Sequence, residues 1–183
     1  DEYYFKTGYA YYMESDFEKA GKAFFEVKDS DSKYASAAQY YYAHMMYMNK
    51  NYETALQSFL KLKNSEAFAP VAPYYITQIY YLQGKYDELL KYAPPLLDST
   101  GTKNGLEIGR MIGESFYRKG NYAEASKAIF GDDRLLKNPD LANDPKVAAE
   151  VTAWFTERNK SNMAKQLGFD TKNLTPEQAN ILA

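Results

Sequence analysis

The chain contains no cysteine, which removes disulfides, thiolate nucleophiles and cysteine-held metals together. A single histidine, His44, leaves no two-histidine metal site. There is no apolar run of 18 residues, the minimum for a helix that crosses a bilayer. Charge of one sign is missing too: Lys+Arg 22 against Asp+Glu 24 gives a net charge of -2. Such a balance attracts neither nucleic acid nor an anionic membrane surface, and Lys6, Arg110 and Arg118 are scattered, not striped. "GRMIGES" (109–115) lacks the lysine and the loop length of a phosphate-binding motif. The opening "DEYYFKTGYAYY" has no basic and apolar leader. It begins directly on a helical pattern, as expected of an excised fragment or a mature chain, and cytoplasm and periplasm both stay open.

What is present is tyrosine, 19 of 183 residues, together with frequent Lys and Asn, a composition read as bacterial. A phrase also recurs: "SDFEKAGKAFF" (15–25), "KNYETALQSFL" (50–60), "GKYDELLKYAP" (84–94) and "GNYAEASKAIF" (120–130). Aligned on Phe17, Tyr52, Tyr86 and Tyr122, the phrases stand 35, 34 and 36 residues apart, the period of a helix–turn–helix repeat. One slot of the first helix holds Gly8, Ala43, Thr77 and Gly113, all small. Three residues on come Tyr11, Met46, Tyr80 and Phe116. The second helix carries Ala20, Ala55, Leu89 and Ala125, then Phe24, Phe59, Ala93 and Ile129. Small residues facing bulky ones let two helices interlock. The turn words "ESD", "NKN", "QGK" and "KGN" are expected to supply Gly or Asn where the chain leaves the first helix. Pro94 and Pro95 should shorten, kink or restart the second helix of unit three.

The G-x-x-Y…A-x-x-x-F skeleton resembles the tetratricopeptide repeat family over about residues 2–130. The resemblance implies an all-α fold: a right-handed α-solenoid of about four units (about 1–34, 36–69, 70–103 and 106–130), with residues 131–183 as a small helical C-terminal cap. It also implies that the first helix of each unit lines a concave face. Three columns can then be read. Tyr12, Tyr47, Tyr81 and Tyr117 form one, and Phe5, Tyr40, Tyr74 and Arg110 a second. The third, Tyr9, His44, Gln78 and Glu114, is polar and changes in every unit. Tyrosine combines a rigid apolar body with a hydroxyl, which suits recognition. These columns are the expected partner-binding groove, for a protein or peptide ligand, without catalysis, cofactor or metal. The cationic clamp by which tetratricopeptide co-chaperones grip a terminal carboxylate is absent, because its slots hold Phe5, Tyr9, Tyr40 and His44. Unpartnered end faces make a homodimer a further expectation.

After Tyr122 tyrosine disappears, which puts a boundary near Gly131. Asp144-Pro145 reads as a helix start, with Val147, Val151, Trp154 and Phe155 on one face that should bury itself on unit four. A second short helix should end at Gly168, and a third should open at Thr175-Pro176-Glu177. "LLKNPDLANDPKVAAEVTAWF" resembles a late, non-catalytic segment of glycoside hydrolase family 19 chitinases and lysins. That resemblance offers an alternative, a carbohydrate-active or cell-wall-associated protein with a degenerate hydrolase-like tail, and carries over no catalytic residue. Paired acids for glycoside hydrolysis face each other at ~5–10 Å, and nothing in the spacing selects a pair among Glu14, Glu107 and Glu114. Asp132-Asp133 reads as a solvated turn.

Overall fold

A computed structural model describes residues 1–97, 104–130, 145–170 and 173–182. The chain is all-helical among these residues. Its helices are α1 (Glu2–Met13), α2 (Phe17–Phe25), α3 (Ala35–Met48), α4 (Tyr52–Leu62), α5 (Ala72–Leu82), α6 (Tyr86–Tyr92), α7 (Pro94–Leu97), α8 (Gly105–Arg118), α9 (Tyr122–Phe130), α10 (Pro145–Gln166) and α11 (Pro176–Leu182). It divides into two compact units, Asp1–Ile112 and Gly113–Ala183. The boundary expected near Gly131, the Asp132-Asp133 pair, Asp144 and the first ten residues of the hydrolase-like segment (135–144) lie outside the described residues.

In the first unit each helix packs on its neighbours in sequence, α1 on α2, α2 on α3, α3 on α4, α4 on α5 and α5 on α6. The contact chemistry repeats. Ala20, Ala55 and Leu89 are fully buried, as are Phe24, Phe59 and Ala93. The small slot explains itself at Gly8: a Cβ built there would meet the Phe24 ring at 3.0 Å. In unit three the bulky partner becomes Ala93 and the small slot becomes Thr77, so volume is exchanged across the pair. The buried Thr77 hydroxyl is satisfied by donating to the Pro73 carbonyl at 2.9 Å. A ring lies behind each phenylalanine: Phe24 stacks on Tyr41 (5.2 Å, 14°) and Phe59 on Tyr75 (4.7 Å, 1°). Burying one such phenylalanine contributes about 1.5–3 kcal/mol, and the ring pair about 0.5–1.5 kcal/mol more.

The turn between paired helices is the same four times. Ser15, Lys50, Gly84 and Gly120 all take a left-handed conformation, with φ of 62°, 60°, 67° and 73°. Their N–H groups donate to the carbonyls of Tyr12, Tyr47, Tyr81 and Tyr117. The next N–H groups, of Asp16, Asn51, Lys85 and Asn121, reach back to Tyr11, Met46, Tyr80 and Phe116. This pair of bonds satisfies the carbonyls that a helix end leaves open. The expectation that Gly or Asn would supply the turn therefore needs correcting in units one and two. Serine and lysine occupy the strained position, while Asn49 stays at φ -80° and Asn51 opens the following helix. The two hydrogen bonds and the following cap hold these residues there despite a Cβ clash of roughly 1–2 kcal/mol. Asp16, Asn51 and Asn121 then cap the second helix by accepting from the N–H of Lys19, Thr54 and Glu124. Lys85 has no such side chain to offer. Unit three also carries the proline break: α6 ends at Tyr92 and α7 restarts at Pro94.

In the second unit Gly113 repeats the Gly8 arrangement, with its notional Cβ 2.7 Å from Ile129 Cγ1. Of the tail's expected apolar stripe, Val151, Trp154 and Phe155 pack against this helix pair, and the Val147 side chain lies outside the described residues. Val151 and Phe155 are buried with Ala125, and Trp154 is packed against the same cluster beside Phe116, Tyr117, Tyr122 and Ile129. The expected break before Gly168 is absent. Pro145–Gln166 is one 22-residue helix, because "TERNKSNMAKQ" (156–166) contains neither proline nor glycine to interrupt it. Gly168, at φ 71°, ends that helix. Thr175 and Gln178 exchange side-chain bonds with each other's N–H groups, the reciprocal cap that starts α11.

Candidate interaction surface

The first helices of units one to three, α1, α3 and α5, carry the column residues and place their rings in a connected lattice. Tyr9 meets Tyr41 edge-on at 5.5 Å, and Tyr41 lies 5.0 Å from Tyr12. The Tyr12 hydroxyl is 3.3 Å from His44 Nδ1. His44 stacks on Tyr40 (6.3 Å, 17°) and stands edge-on to Tyr75 (5.7 Å), which in turn meets Tyr47 at 5.5 Å and Tyr74 at 5.5 Å. Ring contact thus runs from α1 through α3 to α5. Apart from Tyr9, which is exposed, these rings are half-buried. Each presents an edge or a face to solvent while its body is held by neighbours.

The Tyr12 column has a second recurring contact. Tyr12 packs on Phe17, Tyr47 on Tyr52, Tyr81 on Tyr86 and Tyr117 on Tyr122, with centroids 5.7–6.4 Å apart. The last turn of the first helix is clasped to the aromatic that opens the second, across the left-handed turn described above. Tyr81 also lies under the Arg110 guanidinium at 5.8 Å, and Arg110 is anchored to Glu107 at 2.9 Å. Tyr117 and Glu114 belong to the second unit. There Tyr117 stacks on Phe155 at 4.5 Å, and Glu114 is buried with a bond to Arg118 at 3.3 Å.

The Phe5 column serves packing as well as surface. Phe5 stacks on Tyr34 (5.0 Å, 23°) and leans on Phe24. Its counterpart Tyr40 stacks on Phe68 (4.8 Å, 15°). Both rings lie between a first helix and the connection that leads into the next unit. Tyr74 touches Tyr75, and Gln78 is half-buried. Sequence reasoning missed Tyr41 and Tyr75, which link the lattice to the core. Their slot reads Lys6, Tyr41, Tyr75 and Met111. It keeps no residue type through the repeats, and inside "QYYYAH" (39–44) only helical phase separates it from Tyr40.

Burial sets the electrostatics. It pushes the hydroxyl pKa of Tyr12, Tyr41 and Tyr47 up, and that of Tyr40 up strongly with help from a bond to Tyr75. Burial also pulls the His44 imidazole below its ordinary value. A neutral imidazole protonated on Nε2 accepts the Tyr12 hydroxyl through Nδ1. The surface is thus an uncharged aromatic face with hydroxyl groups available to donate and accept. Among the described residues no group of three or more His, Asp or Glu could hold a metal ion, and no helix is long and apolar enough to cross a membrane. The chain matches no protein-family model and no curated protein.

Proposed function

We infer that this protein is a non-enzymatic interaction scaffold. In this reading the helix–turn–helix units form a right-handed tetratricopeptide-like α-solenoid, closed by the C-terminal helices. A peptide or partner surface is held on the tyrosine-rich concave side, by Tyr12, Tyr47, Tyr81 and Tyr117 with Phe5, Tyr40, Tyr74, Tyr9, His44 and Gln78. One observation carries it: half-buried rings of α1, α3 and α5 are joined in one lattice with centroid separations of 5.0–6.3 Å. Rings fixed by one another lose little freedom when a ligand arrives, so their contact area converts into affinity at low entropic cost. Neutral phenols suit the backbone amides and apolar side chains of an extended peptide.

The test is an array of extended peptides probed with the intact chain and with a Tyr47→Ala, Tyr81→Ala variant, beside titrations with chitin and peptidoglycan oligomers followed through Trp154 and tyrosine fluorescence. Peptide capture weakened by the double substitution, with flat sugar titrations, is the expected result. Saturable sugar binding without peptide capture would replace this reading with the carbohydrate one, which would draw on the same rings.

A further inference from the structure

Charge is divided unevenly between the paired helices of the first unit. The second helix of each pair is charged: α2 carries Glu18 and Lys22, α4 Glu53 and Lys61, α6 Asp87 and Lys91. The first helices are not. Neither α3, "ASAAQYYYAHMMYM", nor α5, "APYYITQIYYL", holds a single Asp, Glu, Lys or Arg. On α1 the two charges, Glu2 and Lys6, pair with each other at 2.7 Å. A surface helix ordinarily carries charged and polar residues on the side away from the core. Here α3 and α5 carry phenol, imidazole and amide groups in their place, and burial favours the neutral forms of Tyr40, Tyr47 and His44.

What these helices can offer a ligand is limited in kind. Their main-chain N–H and C=O groups already pair with each other along the helix, so no incoming strand can add to them as it would to a sheet edge. Side chains remain. The Tyr12–His44 bond and a bond between Tyr40 and Tyr75 fix four of the rings. The Tyr47 and Tyr74 hydroxyls bond to no other group among the described residues, and both rings are half-buried. The lattice therefore presents ring surfaces and O–H donors, without an ionic group.

An ordinary extended chain brings one N–H per residue, and each N–H pressed against a ring loses its water without gaining a partner. Proline has no N–H; its carbonyl accepts from a phenol, and its pyrrolidine ring lies against an aromatic one. A proline-rich segment is also extended before it binds, as a polyproline II helix without internal hydrogen bonds, so little ordering remains to be done. Charge complementarity agrees: an ionic side chain would be dehydrated here with no opposite charge to meet it. Building on the scaffold reading, we propose that the rings of α1, α3 and α5 hold an uncharged, proline-rich segment of a partner protein in the polyproline II conformation. Tyr47 and Tyr74 donate to its carbonyls.

The probe is a fluorescein-labelled peptide of about ten prolines, roughly 31 Å long, titrated into the intact chain by anisotropy. A second peptide of equal length has every other proline replaced by alanine, which restores N–H groups. The proline peptide should bind about tenfold more tightly. A Tyr47→Phe, Tyr74→Phe chain keeps both rings and should lose about tenfold for that peptide, while melting like the parent because neither hydroxyl has a partner to lose. Raising NaCl from about 50 to about 500 mM should leave the affinity unchanged. Equal affinity for the two peptides overturns the proposal; the scaffold reading then stands if the alanine-bearing peptide still loses binding with Tyr47→Ala, Tyr81→Ala. Binding that ignores the missing hydroxyls, or that salt abolishes, overturns the proposal as well. Capture of no peptide at all overturns both.

Discussion

Replacing Gly8 by alanine sets two known effects against each other. In the middle of α1 glycine costs about 1 kcal/mol relative to alanine, so on helix propensity alone Gly8→Ala should stabilise. The new methyl group, however, would stand 3.0 Å from Phe24 Cδ1 and Cε1 and 3.2 Å from Cγ, against roughly 3.5–4.0 Å for relaxed carbon contact. The ring has no room to retreat: it is fully buried, stacked on Tyr41 at 5.2 Å and bounded by Phe5 at 5.8 Å. Overpacking of this kind costs about 1–3 kcal/mol, so the net expectation is a loss of about 1 kcal/mol. A double-mutant cycle with Phe24→Leu isolates the clash. With the ring removed, Gly8→Ala should recover its propensity gain, giving a coupling of about 1–3 kcal/mol in urea denaturation followed by circular dichroism. Ala10→Gly, on the exposed side of α1, calibrates propensity at about 1 kcal/mol. If Gly8→Ala stabilises the parent and the Phe24→Leu chain equally, the close helix approach is not what keeps glycine in this slot.

Three further outcomes are expected. Ser15→Gly and Lys50→Gly should each stabilise by about 1 kcal/mol in the same denaturation assay, since both residues hold a positive φ that glycine adopts without a Cβ clash; no gain would mean the turn is unstrained. Lys85→Asp should add a missing cap to α6 and raise stability by about 1 kcal/mol, less a small loss from the exposed Lys85–Glu53 pair at 3.5 Å; an unchanged urea midpoint would refute the assignment. Stability should fall at both ends of the pH range. The folded His44 resists protonation, so the unfolded chain takes up a proton first as pH drops below about 6.5, and His44→Gln should flatten that slope. The raised hydroxyls of Tyr12, Tyr40, Tyr41, Tyr47, Tyr80 and Tyr92 keep their full stabilisation below about pH 10. They lose it as pH rises through their folded values, about 12 for Tyr92. Urea midpoints read alongside tyrosinate absorbance would show no alkaline loss if burial were not the cause.

The period was legible because two physical requirements recur at fixed spacing: a small residue where helices approach, and a cap where one helix turns into the next. Gly8 with Phe24 and Gly113 with Ile129 made the first visible. The proline break after Tyr92 followed from proline's missing donor alone. The left-handed residues of units one and two were not legible, because serine and lysine carry no local signal for a positive φ and are held there by their own bond to the carbonyl three residues upstream and by the bond of the next residue, Asp16 or Asn51, to the carbonyl five upstream of it. The length of α10 was misread for lack of a positive stop, since Gly168 marks an end without saying where a helix began. Of the candidate surface, the Tyr12 column stood out because its identity never changes. Tyr41 and Tyr75 were hidden by tyrosine neighbours on both helices, where only the rotation of about 100° per residue decides which ring turns inward.

The four turns have a consequence for how such a chain can diverge. In each, the residue that carries a column tyrosine gives its carbonyl, not its phenol, to the closing bond from Ser15, Lys50, Gly84 or Gly120. Shape is thereby written in the main chain, and chemical character in the side chain of the same residue. A lineage could rewrite one ring at a time, trading tyrosine for another residue to suit a new ligand, while the hairpins that set the spacing stayed as they were.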